Sequence, residues 1–405
     1  MQVVTRGPVQ PTERSLTPDL ARGVALLGIA LANSVIHLHG QLLGPGFRPV
    51  EASAADRVVD VLVGVFVDNR AFPMFTLLFA YGLVMLARRQ EAAGAPWPAT
   101  RRLLLRRCAF LGLIGLAHLV LLFDGDILTS YGILGLALVL LLRVRDRKLA
   151  WIGVGALVVF VGFSSIDGLA DVDTAPDLPV DPTTAVGALA VRAAQGVGYL
   201  VASPVLVLAF LSPAVVGVLL ARRQVLERPA EHLPLLRRLT IGGFALSVPG
   251  AVPMVLATVQ VWQPSTPAGL LVGALHGLTG LAGAVAFVAL IGWLVAVRDQ
   301  RAAAAGVAPA APSGPPRGVV AVGQRSLTCY LLQSVMFVPL MAPWAGNLGE
   351  SAGTAFAAAL GAGIYLVTVL VAVALDRAGR PGPAEVVLRR LTYGPRPESV
   401  PASSR

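Results

Sequence analysis

Charge is scarce in this 405-residue chain. Asp, Glu, Lys and Arg together make up 13% of it, about half of what a soluble domain needs to cover its surface. Lysine is nearly missing, with Lys148 the single example among 32 basic residues. Aromatics are few, at 6%. The two cysteines, Cys108 and Cys329, both lie inside apolar stretches and form no CxxC or Cys/His cluster, so neither a disulfide framework nor a metal site is expected. No GxGxxG follows a strand pattern, no Walker A motif is present, and no serine sits in a nucleophile elbow. Soluble nucleotide-binding and α/β-hydrolase chemistry is thereby set aside. Residues 1–18 are polar and Pro-rich and do not read as a cleavable signal.

What fills the chain is apolar: 56% of it, in long blocks rather than alternating positions. Blocks of roughly 18–25 residues read as membrane helices. Ten are expected, at 20–38, 67–87, 103–123, 127–142, 149–168, 197–221, 239–262, 270–297, 319–341 and 353–375. The fold class is therefore all-α, a polytopic transmembrane bundle of about ten spans.

The net charge of +10 could point to an anionic partner such as nucleic acid. Its distribution says otherwise. The N-terminus to Arg22, 88–107, 143–148, 222–238, 298–325 and the tail from 376 hold 28 of the 32 basic residues. The alternate connections keep only Arg48, Arg57, Arg70 and Arg192, with twelve of the 22 acids, among them Asp167, Asp171, Asp173, Asp177 and Asp181. That is the positive-inside pattern for ten helices with both termini cytoplasmic. The bilayer is then the main partner, in a bacterial inner membrane, and no nucleic acid is expected. Oligomerisation is compatible with the sequence.

The chain divides into a cytoplasmic segment 1–18, a transmembrane half 19–168, an acidic extracytoplasmic loop 169–196, a second transmembrane half 197–394 and a disordered tail 395–405. Residues 54–66 have the look of an amphipathic helix in the outer loop 39–66, and the acidic outer loop turns helix-like near 184–195. Residues 302–318 read as a flexible linker.

Polar residues inside hydrocarbon cost free energy unless they find partners, so they mark function or packing. In the first span, Thr17 suits a cap, Pro18 the first helical position and Asp19 the positive end of the helix dipole. Asp19 and Arg22 are three apart and can pair. Asn33, eleven residues past Arg22, is either interhelical glue or a site residue. His37 and His39 follow, on different faces, each a wet bystander or a general base. Around the turn between the third and fourth spans, His118 lies close to Asp124 and Asp126, which flank Gly125. A histidine with two acids at one depth can orient an imidazole or hold a hydroxylated substrate, although Asp126 could equally cap the next helix with Thr129. The ninth span carries Arg325, Tyr330 and Gln333. Arg325 is near enough to the cytoplasmic end to snorkel, and Gln333 must face protein. His276 and His232 read as structural and peripheral.

Several runs resemble the YeiB-like family of bacterial membrane proteins: Asp19, Arg22 and Gly23 with Asn33; Phe72 to Gly82; Gly125 to Leu128 followed by Tyr131; Ala321 to Gly323; Leu327 to Ser334; and Gly382, Pro383 and Glu385 with Arg389 to Gly394. The match runs in order from about 16 to 394, with Cys329 standing where the family usually has Asn. The family is in turn distantly similar to membrane-bound acyltransferases such as heparan-alpha-glucosaminide N-acetyltransferase. That resemblance implies transfer of an acyl group from cytoplasmic acyl-CoA to a glycan or other hydroxyl acceptor across the membrane. It puts a catalytic histidine after the first span, at His37 or His39.

On this reading His118 or His37 activates the acceptor, Asp124 or Asp126 orients the histidine or the sugar, and Arg22 and Arg325 attract acyl-CoA phosphates. Asp19, Asn33, His39, Tyr330 and Gln333 stand as substrate-binding or structural polar groups. Two other classes fit the same sequence. Ten helices split five and five suit a transporter of a small polar or anionic solute, supported by the Pro204 and Pro213 interruptions. A non-catalytic scaffold predicts that the polar residues tolerate substitution.

Overall fold

The computed structural model describes residues 15–169 and 181–394. The expected acids Asp171, Asp173 and Asp177, the terminal segment 1–14 and the tail 395–405 lie outside the described residues. Fourteen α-helices and one two-stranded ribbon make up the described fold: α1 Leu16–Ser34, β1 Leu43–Gly44, β2 Arg48–Pro49, α2 Ala54–Phe66, α3 Ala71–Ala92, α4 Trp97–Leu121, α5 Leu128–Leu141, α6 Asp146–Ser165, α7 Ala185–Arg222, α8 Leu233–Thr258, α9 Thr266–Ala304, α10 Pro315–Gln324, α11 Ser326–Met341, α12 Leu348–Ser351, α13 Thr354–Arg377 and α14 Pro383–Tyr393.

Eight helical stretches among the described residues are long and apolar enough to cross a membrane, and α5 and α11 are shorter apolar helices of 14 and 16 residues. Together they coincide with the ten expected blocks. The protein is an all-α, multi-pass membrane bundle. Its outward surface is apolar: Leu113, Leu140, Trp151, Val158, Val201, Leu271 and Leu370 are all exposed, as lipid-facing side chains should be.

The helices alternate direction, which sorts the connections to two ends. One end gathers the arginine-rich turns: Arg143 pairs with Glu91 at 2.9 Å, Arg88 with Glu227 at 3.1 Å, and Arg222 with Asp146. It is the basic end. The opposite end holds the ribbon, α2, the α4–α5 turn and α12.

The sequence places α2 well, at 54–66. Its polar Asp56 and Asp60 point inward and its Val58, Leu62 and Phe66 are exposed. Ser53 starts it with a reciprocal capping box to Asp56. The other Asp56 oxygen accepts from the Ala355 N–H at 2.7 Å and fastens α2 to α13.

Three expectations change. The first helix begins at Leu16 with Ser15 in the cap position, so Thr17 and Pro18 are inside its first turn; the Ser15 hydroxyl instead donates to Leu226 O at 3.1 Å. The helix-like stretch near 184–195 is continuous with the sixth span in one 38-residue α7, which runs through Pro204 and Pro213. Neither α1 nor α7 is interrupted, whereas the ninth span is: it breaks at Arg325 (φ −122°, ψ 35°) into α10 and α11. Close crossing of α1 and α10 accompanies the break. A Cβ on Gly323 would lie 1.8 Å from Asp19 O, so only glycine lets these backbones touch.

Candidate functional site

The α4–α5 hairpin builds the centre of the candidate site. α5 can approach α4 only because Gly115 has no side chain: a Cβ there would sit 2.2 Å from Thr129 N and 2.6 Å from Leu128 C. One turn further along α4, His118 faces the start of α5. Asp126 ends the turn. Its Oδ2 accepts from Thr129 N–H and Thr129 Oγ1–H, both at 2.8 Å, which is how a side chain caps a helix start. Its Oδ1 lies 2.8 Å from His118 Nδ1. An ionised carboxylate only accepts, so Nδ1 carries the proton and donates it. Both side chains are at most 1% exposed.

That bond fixes the tautomer and leaves Nε2 as the basic nitrogen of the neutral ring. Nε2 is buried and has no hydrogen-bond partner among the described residues. A buried, unpaired ring nitrogen costs free energy, and an oriented one is what a general base needs. The two readings of Asp126 in the sequence are therefore compatible, since one oxygen caps and the other orients.

The surroundings are aromatic. The His118 ring centroid lies 5.2 Å from Tyr330 on α11 and 6.2 Å from Phe123. His37 stacks on Phe337 at 4.9 Å and packs against Phe123 at the same distance. His37 and His118 thus share Phe123 as a common wall. Tyr330 is 2% exposed, and its oxygen accepts from Ile127 N–H at 3.3 Å. Tyr199, from the first half of α7, closes the hairpin from the other side. Its hydroxyl donates to Asp126 O at 3.0 Å and takes a bond from Ser130 Oγ.

The remaining candidates spread along the bundle. Asp124 is exposed at the hairpin tip and accepts only from Gly125 N–H at 3.2 Å, so geometry separates it from Asp126. His39 Nε2 is 3.2 Å from Met341 O, which docks the loop after α1 onto the end of α11. Asn33 is half-buried in the last turn of α1. Gln333 is buried and donates to Leu26 O at 3.4 Å, joining α11 to α1.

At the basic end Arg22 pairs with Asp19 at 3.1 Å, as the three-residue spacing implies. Its guanidinium lies over Gly82 of α3. Arg325 has a structural occupation. It donates twice to Arg380 O, at 2.9 and 3.1 Å, and reaches Asp376 at 3.4 Å. The free N-terminus of α11 beside it is filled by Glu385, whose carboxylate accepts from Leu327 N–H at 2.8 Å, Thr328 N–H at 3.2 Å and Thr328 Oγ1–H at 2.5 Å. Tyr81 donates to Glu227 at 2.5 Å and accepts from Leu226 N–H at 3.0 Å.

Sequence reasoning missed a second buried network at the end opposite the arginine-rich turns. Arg70 is 1% exposed and donates to Ser247 Oγ, Ser247 O, Gly64 O and Asp68 O. It also touches His276 Nε2. His276 Nε2 is 3.0 Å from Gly64 O, and its Nδ1 is 3.2 Å from the Asn69 amide nitrogen, which also donates to Asp167 at 2.8 Å. Both ring nitrogens of His276 are spent, so this histidine is structural. Arg70 and His276 are 206 residues apart, and only their low hydrophobicity inside apolar blocks signals them. Among the described residues no group of three His, Cys, Asp or Glu could hold a metal ion.

Residues 220–395 match the model of the family described as "Protein of unknown function (DUF418)". The chain is 31% identical over 160 residues to the uncharacterized protein YxaH of Bacillus subtilis (strain 168), covering 38% of this chain and 39% of that protein. It is 33% identical over 154 residues to the uncharacterized protein YeiB of Escherichia coli (strain K12), covering 37% of each. The matched stretch spans about two fifths of the length of these relatives. No solved structure matches. The chain is therefore similar to the DUF418 region over residues 220–395 and to YeiB-like proteins, and its long apolar helices make it a multi-pass membrane protein.

Proposed function

We propose that the protein is a transmembrane acyltransferase of the bacterial inner membrane, with both termini cytoplasmic. It takes an acyl group from acyl-CoA at the basic end and passes it to a hydroxyl of an envelope glycan, or of another acceptor, at the opposite end. The observation that carries this reading is the His118–Asp126 pair, with Nδ1 held by the carboxylate and Nε2 unspent.

In the reaction, His118 Nε2 takes the proton of the acceptor hydroxyl as its oxygen attacks the thioester carbonyl. A C–O bond forms, the C–S bond breaks, and the proton leaves on the CoA thiol. Asp126 keeps the ring in its reactive tautomer and stabilises the imidazolium. His37, half-buried on the far side of Phe123, lines the approach for the acceptor. The donor's phosphates fit the arginine-rich end. Arg22, paired with Asp19 and with 22% of its side chain exposed, adds positive charge there, and Arg325 at 8% holds the α10–α11 break in place. A depression of about 200 Å³ at the same end is lined by Arg88, Glu91, Trp97, Arg143 and Arg222, with the Arg143 guanidinium over the Trp97 ring, and its excess of arginine suits a phosphate.

The test is transfer of labelled acetyl from acetyl-CoA to envelope glycans in proteoliposomes of the purified protein. Transfer that disappears in His118→Ala and survives in His39→Ala is the expected result. Failure to bind acyl-CoA, together with unchanged envelope acylation in His118→Ala and His37→Ala cells, sinks it.

A further inference from the structure

Tyr330 and His118 come from opposite halves of the chain, yet their rings are 5.2 Å apart and tilted by 54°. Each is nearly fully buried, and each has one hydrogen-bonding valence left over. The Tyr330 oxygen accepts from Ile127 N–H at 3.3 Å. Its own O–H proton has no acceptor among the described residues. On His118 the situation is complementary, with Nδ1–H spent on Asp126 and the Nε2 lone pair bare. The other phenols near the hairpin are satisfied: Tyr199 donates to Asp126 O, and Tyr131 bonds to Phe72 O at 3.3 Å and Thr76 at 3.1 Å. The rings that carry the unspent donor and the unspent acceptor are therefore neighbours, with Phe123 on another side of His118.

We propose that His118 Nε2 and the Tyr330 hydroxyl form a two-point receptor for a single uncharged hydroxyl group of the acceptor. This deepens the acyl-transfer reading and rests on it for the meaning of the bound group. The chemistry selects the class of ligand. One hydroxyl both donates and accepts through the same atom, so it gives its proton toward Nε2 while accepting from Tyr330. A carboxylate or phosphate only accepts, and would set lone pairs against the Nε2 lone pair. An ammonium only donates, and would face the Tyr330 proton. Aromatic walls also disfavour either charge. Tyr330 thus fixes the acceptor's oxygen with one lone pair occupied and the other directed to the carbonyl, while His118 removes the proton. Asp126 supports both partners, since its side chain holds the imidazole and the next residue supplies the N–H that turns the Tyr330 proton away from the hairpin backbone.

Solid-state NMR of the full-length protein in lipid nanodiscs, labelled with ¹⁵N-histidine, tests this directly. There are five histidines, and His118→Gln assigns the signal of interest. The probes are 1,2-ethanediol, sodium acetate and methylammonium chloride. Without a probe, His118 shows a protonated Nδ1 and a bare Nε2. Titration with 1,2-ethanediol moves Nε2 saturably toward the hydrogen-bonded position, and neither ion does so. Tyr330→Phe weakens that response about tenfold, a loss of one hydrogen bond at 1.4 kcal/mol per decade, with the Nδ1–H signal intact. The proposal is overturned if Nε2 is already hydrogen-bonded without probe, if acetate acts equally, or if Tyr330→Phe responds as the wild type. The two readings fail separately. Probe binding without any acyl transfer removes the reaction and leaves the receptor. Acyl transfer with an unchanged acceptor KM in Tyr330→Phe removes the receptor and leaves the reaction.

Discussion

Asp126 meets His118 at 2.8 Å from the far side of a turn whose other side it caps. One carboxylate therefore sets the start of α5 and the tautomer of the imidazole together. The position of the base is tied to the position of the helix.

Asp126→Asn separates the two jobs. An amide has one acceptor oxygen, so either Nδ1–H or the Thr129 donors must face an NH₂ group. Wild-type orientation of the ring is lost, and acyl transfer falls by about 10²–10⁴-fold, the range of a mis-set general base. Asp126→Ala also loses the cap, at a further cost of about 1 kcal/mol in stability. Initial transfer rates and thermal unfolding in detergent check both. A wild-type rate in Asp126→Asn beside a dead His118→Ala would show that the base works without this carboxylate.

Gly115 sets the spacing of the same hairpin. The added methyl of Gly115→Ala meets backbone atoms of Leu128 and Thr129 at 2.6 and 2.2 Å, which cannot rotate away. Forcing α4 and α5 apart costs about 1–3 kcal/mol and lengthens the His118–Asp126 bond. A control is at hand in Gly155→Ala on α6, where nothing lies within 4 Å. The expected outcome is a lowered Tm for the first variant and an unchanged one for the second.

Glu385 is an N-cap supplied from another helix. Its three bonds to Leu327 and Thr328 replace the intrahelical partners that α11 lacks at the Arg325 break. Glu385→Gln removes the charge that complements the helix dipole, for a loss of about 1 kcal/mol, and Glu385→Ala strands the N–H groups at about 1–3 kcal/mol. Hydrogen exchange at Leu327 and Thr328 reads the effect locally. Unchanged protection in Glu385→Ala would mean that the break is held by Arg325 and Asp376 alone.

These elements differ in how far the sequence disclosed them. His118 and Asp126 are eight residues apart in one hairpin, so hydropathy alone brought them together. Choosing Asp126 over Asp124 was beyond it, because both flank Gly125 and only the backbone direction decides. The α2 helix was legible as an amphipathic stretch at 54–66, and the structure adds its capping box and its inward Asp56 and Asp60. The break at Arg325 was not, since Gln324-Arg325-Ser326 reads as the polar end of a span rather than as a gap bridged by residues 50 to 60 positions later. The full length of α7 was hidden because residues 184–195, though helix-like, sit beside an acidic stretch and ahead of Pro204 and Pro213, which read as interruptions rather than as part of one helix. Arg70 and His276 were illegible for the plainest reason: a network between spans 206 residues apart leaves no local pattern.

Topology gives an independent check. If the eight long helices, α5 and the α10–α11 pair each cross the bilayer, Tyr393 returns to the side of Leu16. A reporter fused after Tyr393 is expected to be active as a cytoplasmic fluorescent protein and inactive as a periplasmic phosphatase. Single cysteines placed at Asp124 and Glu350, in a chain with Cys108 and Cys329 replaced, are expected to react with impermeant thiol reagents added outside. Phosphatase activity at Tyr393 would rule out a cytoplasmic C-terminus.

Arg70 offers the last test, because its network is buried, charged and shares no hydrogen bond with the His118–Asp126 pair. Its donors point at oxygen atoms held by α2, the α2–α3 turn and α8, with His276 of α9 packed against it. Lysine has the charge but not the fork, so Arg70→Lys leaves Ser247 and Gly64 unpaired at a cost of about 3 kcal/mol or more. His276→Ala frees the Asn69 amide and Gly64 O and costs somewhat less. If this network only supports the fold, both variants lower Tm, and acyl transfer per folded molecule stays at the wild-type rate below the new transition. A rate loss that persists in fully folded Arg70→Lys would instead tie the network to the reaction.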